Sequence, residues 1–288
     1  MPKECIPMKV KITSDSTCDL TPALLQRFNI SVRPLYIIKD GVSYQDQVDI
    51  TTDEIFAHVA AGGSLCSTAA VSETDYAEFF EQEMQGYDGL VHVTISSDMS
   101  ACYQNACFAA KQFQNVHVVD SRNLSSAQGL IVMEGAEMAA KGEMTAAEIA
   151  EAMRAITPKV DASFCVDRLE YLRKGGRCSA VAALGANLLG IKPCIEVRDG
   201  KMLVAKKYRG HYDKVLRTYV HDRLAGDDTL RLHRIMVTHT PVDDGIVDLV
   251  EQEIRACQPF EEILETNALG TVACHCGPHT LGILYIHK

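Results

Sequence analysis

LVHVTISSDMSACYQNACFAAKQFQNVHVVDS, residues 90–121, is the stretch that decides the fold. Leu90–Ile95 reads as a buried strand, and the polar turn Ser96-Ser97-Asp98 ends it. Ser100–Gln114 reads as a helix. Val116–Val119 reads as the next strand, closed by Asp120-Ser121. Strand, helix and strand in that order make a βαβ unit, whose crossover helix brings the second strand back parallel to the first.

The alternation continues on both sides. Met8–Thr13 reads as a strand and Asp15-Ser16 as a tight polar turn. Thr21-Pro22 supplies a helix cap and a proline at the first helical position. Ile30–Ile38 reads as one strand. Thr51 or Thr52 caps a helix ending near Gly62-Gly63, and Glu73–Gln85 is another helix. Near Thr157-Pro158 the pattern changes. A strand (Ala162–Val166), a short helix and a Gly175-Gly176 break follow. Then two strand-like runs flank Asp199-Gly200, a hairpin turn signal. The expected fold is α/β and two-lobed. Residues 1–160 form a mostly parallel α/β domain, and residues 161–288 form an α+β domain.

Composition narrows the function. The 288 residues are 47% hydrophobic and 23% charged, a globular balance. The net charge of −10 gives no basic footprint for nucleic acid. The opening MPKECIPMKV has no apolar core of a signal peptide. The weakly polar stretch Ser179–Ile191 is too short to span a bilayer, which leaves room for transient contact with a membrane surface only. Eleven cysteines at irregular spacing read as reduced thiols in a cytoplasmic protein. Between Arg168 and Arg217 twelve Lys or Arg face four Asp or Glu, which is either a solvated face or a docking surface for an anionic partner.

Three clusters could carry chemistry. Ser96-Ser97-Asp98-Met99-Ser100 lies between a strand and a helix, where hydroxyls and free N–H groups suit an anion; helix capping alone explains it as well. Cys66-Ser67-Thr68, between helical segments, could present a hydroxyl. Cys274-His275-Cys276-Gly277-Pro278-His279 is dense in metal-ligand types. On a strand, however, His275 points away from both cysteines, and on a helix the cysteines diverge. No second C-x-x-C or H-x-x-x-H completes a zinc site, so no metal is expected. A Ser–His–Asp hydrolase or acyl transferase built on Ser100 and His275 is the rival enzyme reading. Neither the G-x-S-x-G elbow nor the P-loop pattern is present.

These motifs resemble the DegV family of bacterial fatty-acid-binding proteins, which includes the FakB subunits of fatty acid kinase. Asp15-Ser16-Thr17-Cys18-Asp19-Leu20 is similar to the family's opening D-S-T-x-D-L. Ile95 to Tyr103 is similar to I-S-S-x-L-S-G-T-Y, and Val119-Asp120-Ser121 to V-D-S. Leu172 to Arg177 is similar to L-x-K-G-G-R, and His275-Cys276-Gly277-Pro278 to H-x-G-P. Ala69-Ala70-Val71 stands where the family has S-Q-P, and Ala101-Cys102 where it has G-T.

The resemblance implies a binding protein and not an enzyme. Its ligand would be a long-chain, palmitate-like fatty acid in an apolar tunnel between or beside the lobes. Thr68, Ser100 and His275 would hold the carboxylate, with Ser96 and Ser97 nearby. The implied partner is an ATP-dependent kinase subunit that phosphorylates the bound acyl group, with Arg173, Lys174 and Arg177 as its docking residues. No cofactor is implied.

Overall fold

The computed structural model describes residues 7–178 and 190–288. Most of the weakly polar stretch 179–191 therefore lies outside the described residues. The chain is an α/β protein built on three sheets among the described residues.

The first sheet is parallel. Strand β1 (Val10–Asp15) lies between β2 (Ile30–Arg33) and β6 (Gly89–Thr94), and β7 (Val116–Asp120) pairs with β6. Helix α1 (Pro22–Arg27) starts on the Thr21 cap and leads from β1 to β2 on one side. Helix α4 (Cys102–Ala110) leads from β6 to β7 on the other. The chain thus diverges between β1 and β6, and a crevice opens beyond their carboxyl ends.

One expected strand divides in two. Pro34 has no N–H for a ladder, so Ile30–Ile38 breaks there. The second part becomes β3 (Tyr36–Lys39), in a small antiparallel sheet with β4 (Val42–Gln45) and β5 (Ser67–Ala69). Helix α2 (Thr52–Ala60) follows β4 and is held by a capping box in which Thr51 and Glu54 bond reciprocally. Helix α3 (Glu73–Glu83) is capped by Ser72.

Two helices precede the second sheet: α5 (Ser125–Lys141) and α6 (Ala146–Ile156). Helix α5 packs on both large sheets. Its Leu130, Ile131 and Met133 share one core with Ile12 and Val91 on one side and Ala162, Met236 and Leu284 on the other. That placement explains why its first three turns are buried all round.

The second sheet is mixed. It joins β8 (Val160–Val166), β9 (Ile191–Arg198), β10 (Lys201–Arg209), β11 (Leu230–His239), β12 (Glu262–Asn267) and β13 (Thr280–His287). Its order is β10-β9-β8-β13-β11-β12, and only the β11–β12 pair is parallel. Asp199 and Gly200 form the β9–β10 turn with φ of 48° and 80°, the double left-handed pattern of a tight hairpin. Helix α7 (Leu169–Gly175) follows β8. Helices α8 (Tyr212–Leu224) and α9 (Ile246–Cys257) cover the face away from α5. Strand β13 alternates accordingly: Leu281, Ile283 and Tyr285 meet α8 and α9, while Leu284 and Ile286 face α5. Among the described residues no helix is long and apolar enough to cross a membrane.

Candidate functional site

A cavity of about 240 Å³ lies at the crevice between the strand ends of the first sheet and the face of the second. One water occupies about 10–15 Å³ on this measure, so the space suits a ligand and not one or two waters. Ile95 and Met99 reach it from the first sheet, Leu172 from α7, and Met202 and Leu284 from the second sheet.

The three residues expected to hold a carboxylate, Thr68, Ser100 and His275, all line this cavity. Thr68 sits on β5, opposite Ile37 of β3. Its segment is a short edge strand lying between helices α2 and α3, as expected. His275 lies in the last turn of α10 (Gly270–Cys276). The Thr68 hydroxyl and His275 Nε2 are 2.9 Å apart. Ser100 lies in the turn before α4, and its hydroxyl donates to Cys102 Sγ at 3.2 Å. A thiol is a weak acceptor, so an anionic oxygen competes well for that proton.

Ser96 and Ser97 are placed elsewhere. Ser96 is buried and donates to the Gly200 carbonyl at 2.8 Å. Ser97 accepts from Arg122 Nη1 at 3.2 Å. Ser96 therefore joins the first sheet to the β9–β10 turn, Ser97 reaches that turn only through Arg122, which donates to Asp199 O, and neither serine lines the cavity.

His275 is neutral at ordinary pH. Burial, with the nearby Arg177 charge adding to it, pushes its imidazole down to about 4. Its Nδ1 is buried without a partner. With the proton on Nε2, the unpaired atom is an acceptor; the other tautomer would bury an unpaired N–H, the costlier defect. In that tautomer Nε2–H donates to Thr68, and the Thr68 proton is left to point at a ligand. A Ser–His–Asp relay needs a carboxylate on Nδ1, and none bonds there.

The remaining hydroxyls on the cavity are already bonded within the protein. Thr240 donates to Gly277 O at 2.9 Å, Thr280 to Cys276 O at 3.0 Å and Thr271 to Asp46 at 2.7 Å. Ser163 bonds Tyr219 at 2.8 Å, and Ser125 bonds Asp19. Their polarity is spent, so the deeper wall behaves as apolar surface.

The basic residues fall into two groups. Arg177 lines the cavity, with its guanidinium donating to Gly175 O at 2.8 Å. Arg173 and Lys174 are exposed on α7, and Lys174 pairs with Glu170 at 3.0 Å. Across Arg168 to Arg217, six of the twelve basic side chains have acidic partners among the described residues. No group of three or more His, Cys, Asp or Glu gathers as a metal site among the described residues. Two carboxylates beneath the site had little signal in the sequence. Asp19 belongs to the opening motif, but Asp46 has no motif around it. Burial holds Asp19 well above the usual carboxylate range.

A family model described as an uncharacterised protein of the DegV family matches residues 9–288. The chain is 33% identical over 279 residues to a DegV domain-containing protein of Deinococcus radiodurans, covering 96% of this chain and 98% of that protein. It is similar to the structure of a fatty-acid-binding DegV family protein from Thermus thermophilus, with a TM-score of 0.87 and 28% identity over 98% of this chain and 100% of that one. It is also similar to the structure of a stearic-acid-binding protein from Eubacterium ventriosum, with a TM-score of 0.82 and 25% identity over 97% and 98% of the two chains.

Proposed function

The chain belongs to the DegV family, and from that premise we propose that it binds a long-chain fatty acid with the carboxylate at Thr68, Ser100 and His275. The observation that carries this reading is the Thr68–His275 pair, set on a cavity whose other hydroxyls are already bonded. Polar donors at one place and saturated walls elsewhere match an amphiphile with one polar end.

Affinity comes mainly from the chain, at about 0.8 kcal/mol per buried CH₂. Loss of ligand freedom offsets several kcal/mol of that. The head-group bonds, each about 0.5–1.5 kcal/mol net, select a carboxylate over other chain ends. Arg177 adds a positive charge at the same place.

The protein acts as a carrier and not as a catalyst. Its partner is an ATP-dependent kinase that moves the γ-phosphoryl group of ATP onto the bound carboxylate oxygen, releasing ADP. The exposed Arg173 and Lys174, beside Arg177 on the cavity, support docking at this face. A two-domain division near residue 160 belongs to the same proposal, and there the second sheet begins with β8. A cytoplasmic location fits too, since nine of the described cysteines are free thiols.

Mass spectrometry of lipid extracted from the purified protein tests the central reading. A long-chain fatty acid at about one per chain is expected. Purified protein that carries no fatty acid and takes none up would overturn it.

A further inference from the structure

Helix α10 is seven residues long, too short to hold its own position. Its first turn is held by two carboxylates from far earlier in the chain, each 1% exposed. Asp46 follows β4. Its Oδ2 accepts from the Thr271 N–H at 3.0 Å, the Thr271 hydroxyl at 2.7 Å and the Ser16 hydroxyl at 3.2 Å. Its Oδ1 accepts from Gln47 Nε2 at 3.1 Å. Asp19 Oδ1 accepts from the Leu269 N–H at 2.9 Å.

The approach is close. A Cβ on Gly270 would lie 2.6 Å from Asp46 Oδ1, so only glycine lets the turn settle onto this carboxylate. The small sheet thus sets both partners of the head-group pair. Its β5 carries Thr68 directly, and its β4 leads into Asp46, which fixes the helix bearing His275. Neither Asp46 nor Asp19 lines the cavity.

We infer that Asp46 is a positioning residue: by bonding the first turn of α10 to the small sheet, it sets the register between His275 and Thr68, with Asp19 as its second support. This rests on the carboxylate reading of that pair. A preorganised pair gives up little freedom when the ligand arrives, and a loosened pair gives up more. The cost then falls on the head group, while the acyl chain still finds the same walls.

The experiment compares palmitate with the alcohol of the same chain length. Affinities of both are measured for wild type, Asp46→Asn, Gly270→Ala, the double variant and Thr271→Val. Asp46→Asn is expected to weaken palmitate about tenfold and to leave the alcohol within about twofold. Gly270→Ala should do the same from the helix side, and the double variant should lose no more than either single. Thr271→Val removes one hydroxyl donor but keeps the backbone bond, so it stays informative if the stronger variants do not fold. Its selective loss should be about threefold. Equal weakening of acid and alcohol would show general loosening and overturn the inference, as would unchanged palmitate affinity in folded variants. Wild type that binds palmitate no better than the alcohol would overturn the carboxylate reading itself, whatever the variants do.

Discussion

Thr68 and His275 stand 2.9 Å apart although 207 residues of chain separate them. The small sheet delivers one and a short helix of the second half delivers the other. Each partner satisfies a group that would otherwise be costly to bury, and the pair as a unit faces the cavity.

Thr68→Val tests the pair at the lowest structural cost, because valine keeps the β-branched shape of an edge strand. Loss of the hydroxyl should weaken fatty-acid binding about three- to tenfold and cost about 1 kcal/mol of stability. Displacement of a fluorescent fatty acid and a urea midpoint measure the two. Wild-type affinity in the variant would remove Thr68 from the site.

The His275 imidazole gives stability a defined pH dependence. It is held down to about 4 in the folded protein against an ordinary value of 6.5, so the unfolded chain takes up the proton first. The stability gained by keeping it neutral is complete above about pH 6.5 and is lost as the pH falls towards 4. The full effect is about 3 kcal/mol. Urea midpoints over this range should slope less steeply for His275→Gln than for wild type. Parallel slopes would show that this imidazole does not titrate differently on folding.

The β9–β10 hairpin should control ligand release. Its Val197 and Met202 line the cavity, and its turn is tied to the first sheet by Ser96 and Arg122. Arg122 also pairs with Asp98 at 2.6 Å and is 37% exposed. Arg122→Ala should speed fatty-acid dissociation several-fold, and added salt should speed it in wild type by screening the Arg122–Asp98 and Lys201–Asp98 pairs beside the turn. Stopped-flow transfer to an acceptor vesicle measures both. A release rate insensitive to substitution and salt alike would place the exit elsewhere.

Asp15 should matter for stability and not for binding. It is fully buried at the end of β1 and accepts from Tyr76 at 2.5 Å and from the Ile95 N–H at 3.0 Å. Tyr76→Phe leaves that carboxylate short of a donor, and the expected loss is about 1–3 kcal/mol. Fatty-acid affinity of the folded variant should match wild type; a selective loss of affinity would instead connect this network to the head group through Cys102 and Ser100.

Local chemistry made much of this molecule legible. The β6–α4–β7 unit and the Asp199-Gly200 turn follow from signals within a few residues, and the helix cap forms at Thr51, one of the two adjacent threonines the sequence offers. Helix α5 gave no such signal: sheets on both sides bury its first three turns all round, which erases the polar stripe that marks a surface helix. Pro34 was a visible signal, and it divides Ile30–Ile38 between two sheets. Ser96 and Ser97 have the residue type of anion donors, but Ser96 donates to Gly200 O, Ser97 lies against Arg122, and neither lines the cavity. Asp46 could not be found locally, because its partner Thr271 lies 225 residues away.

Strand β13 occupies the middle of the second sheet, between β8 and β11, yet follows both in the chain. During synthesis, β8 and β11 must wait with one edge each unpaired until it arrives. Such edges are sticky and invite wrong partners. The same strand supplies Leu284 to the cavity wall. The cavity wall is therefore incomplete until β13 is in place, and the fatty-acid reading predicts that a nascent chain lacking β13 has no finished pocket to load.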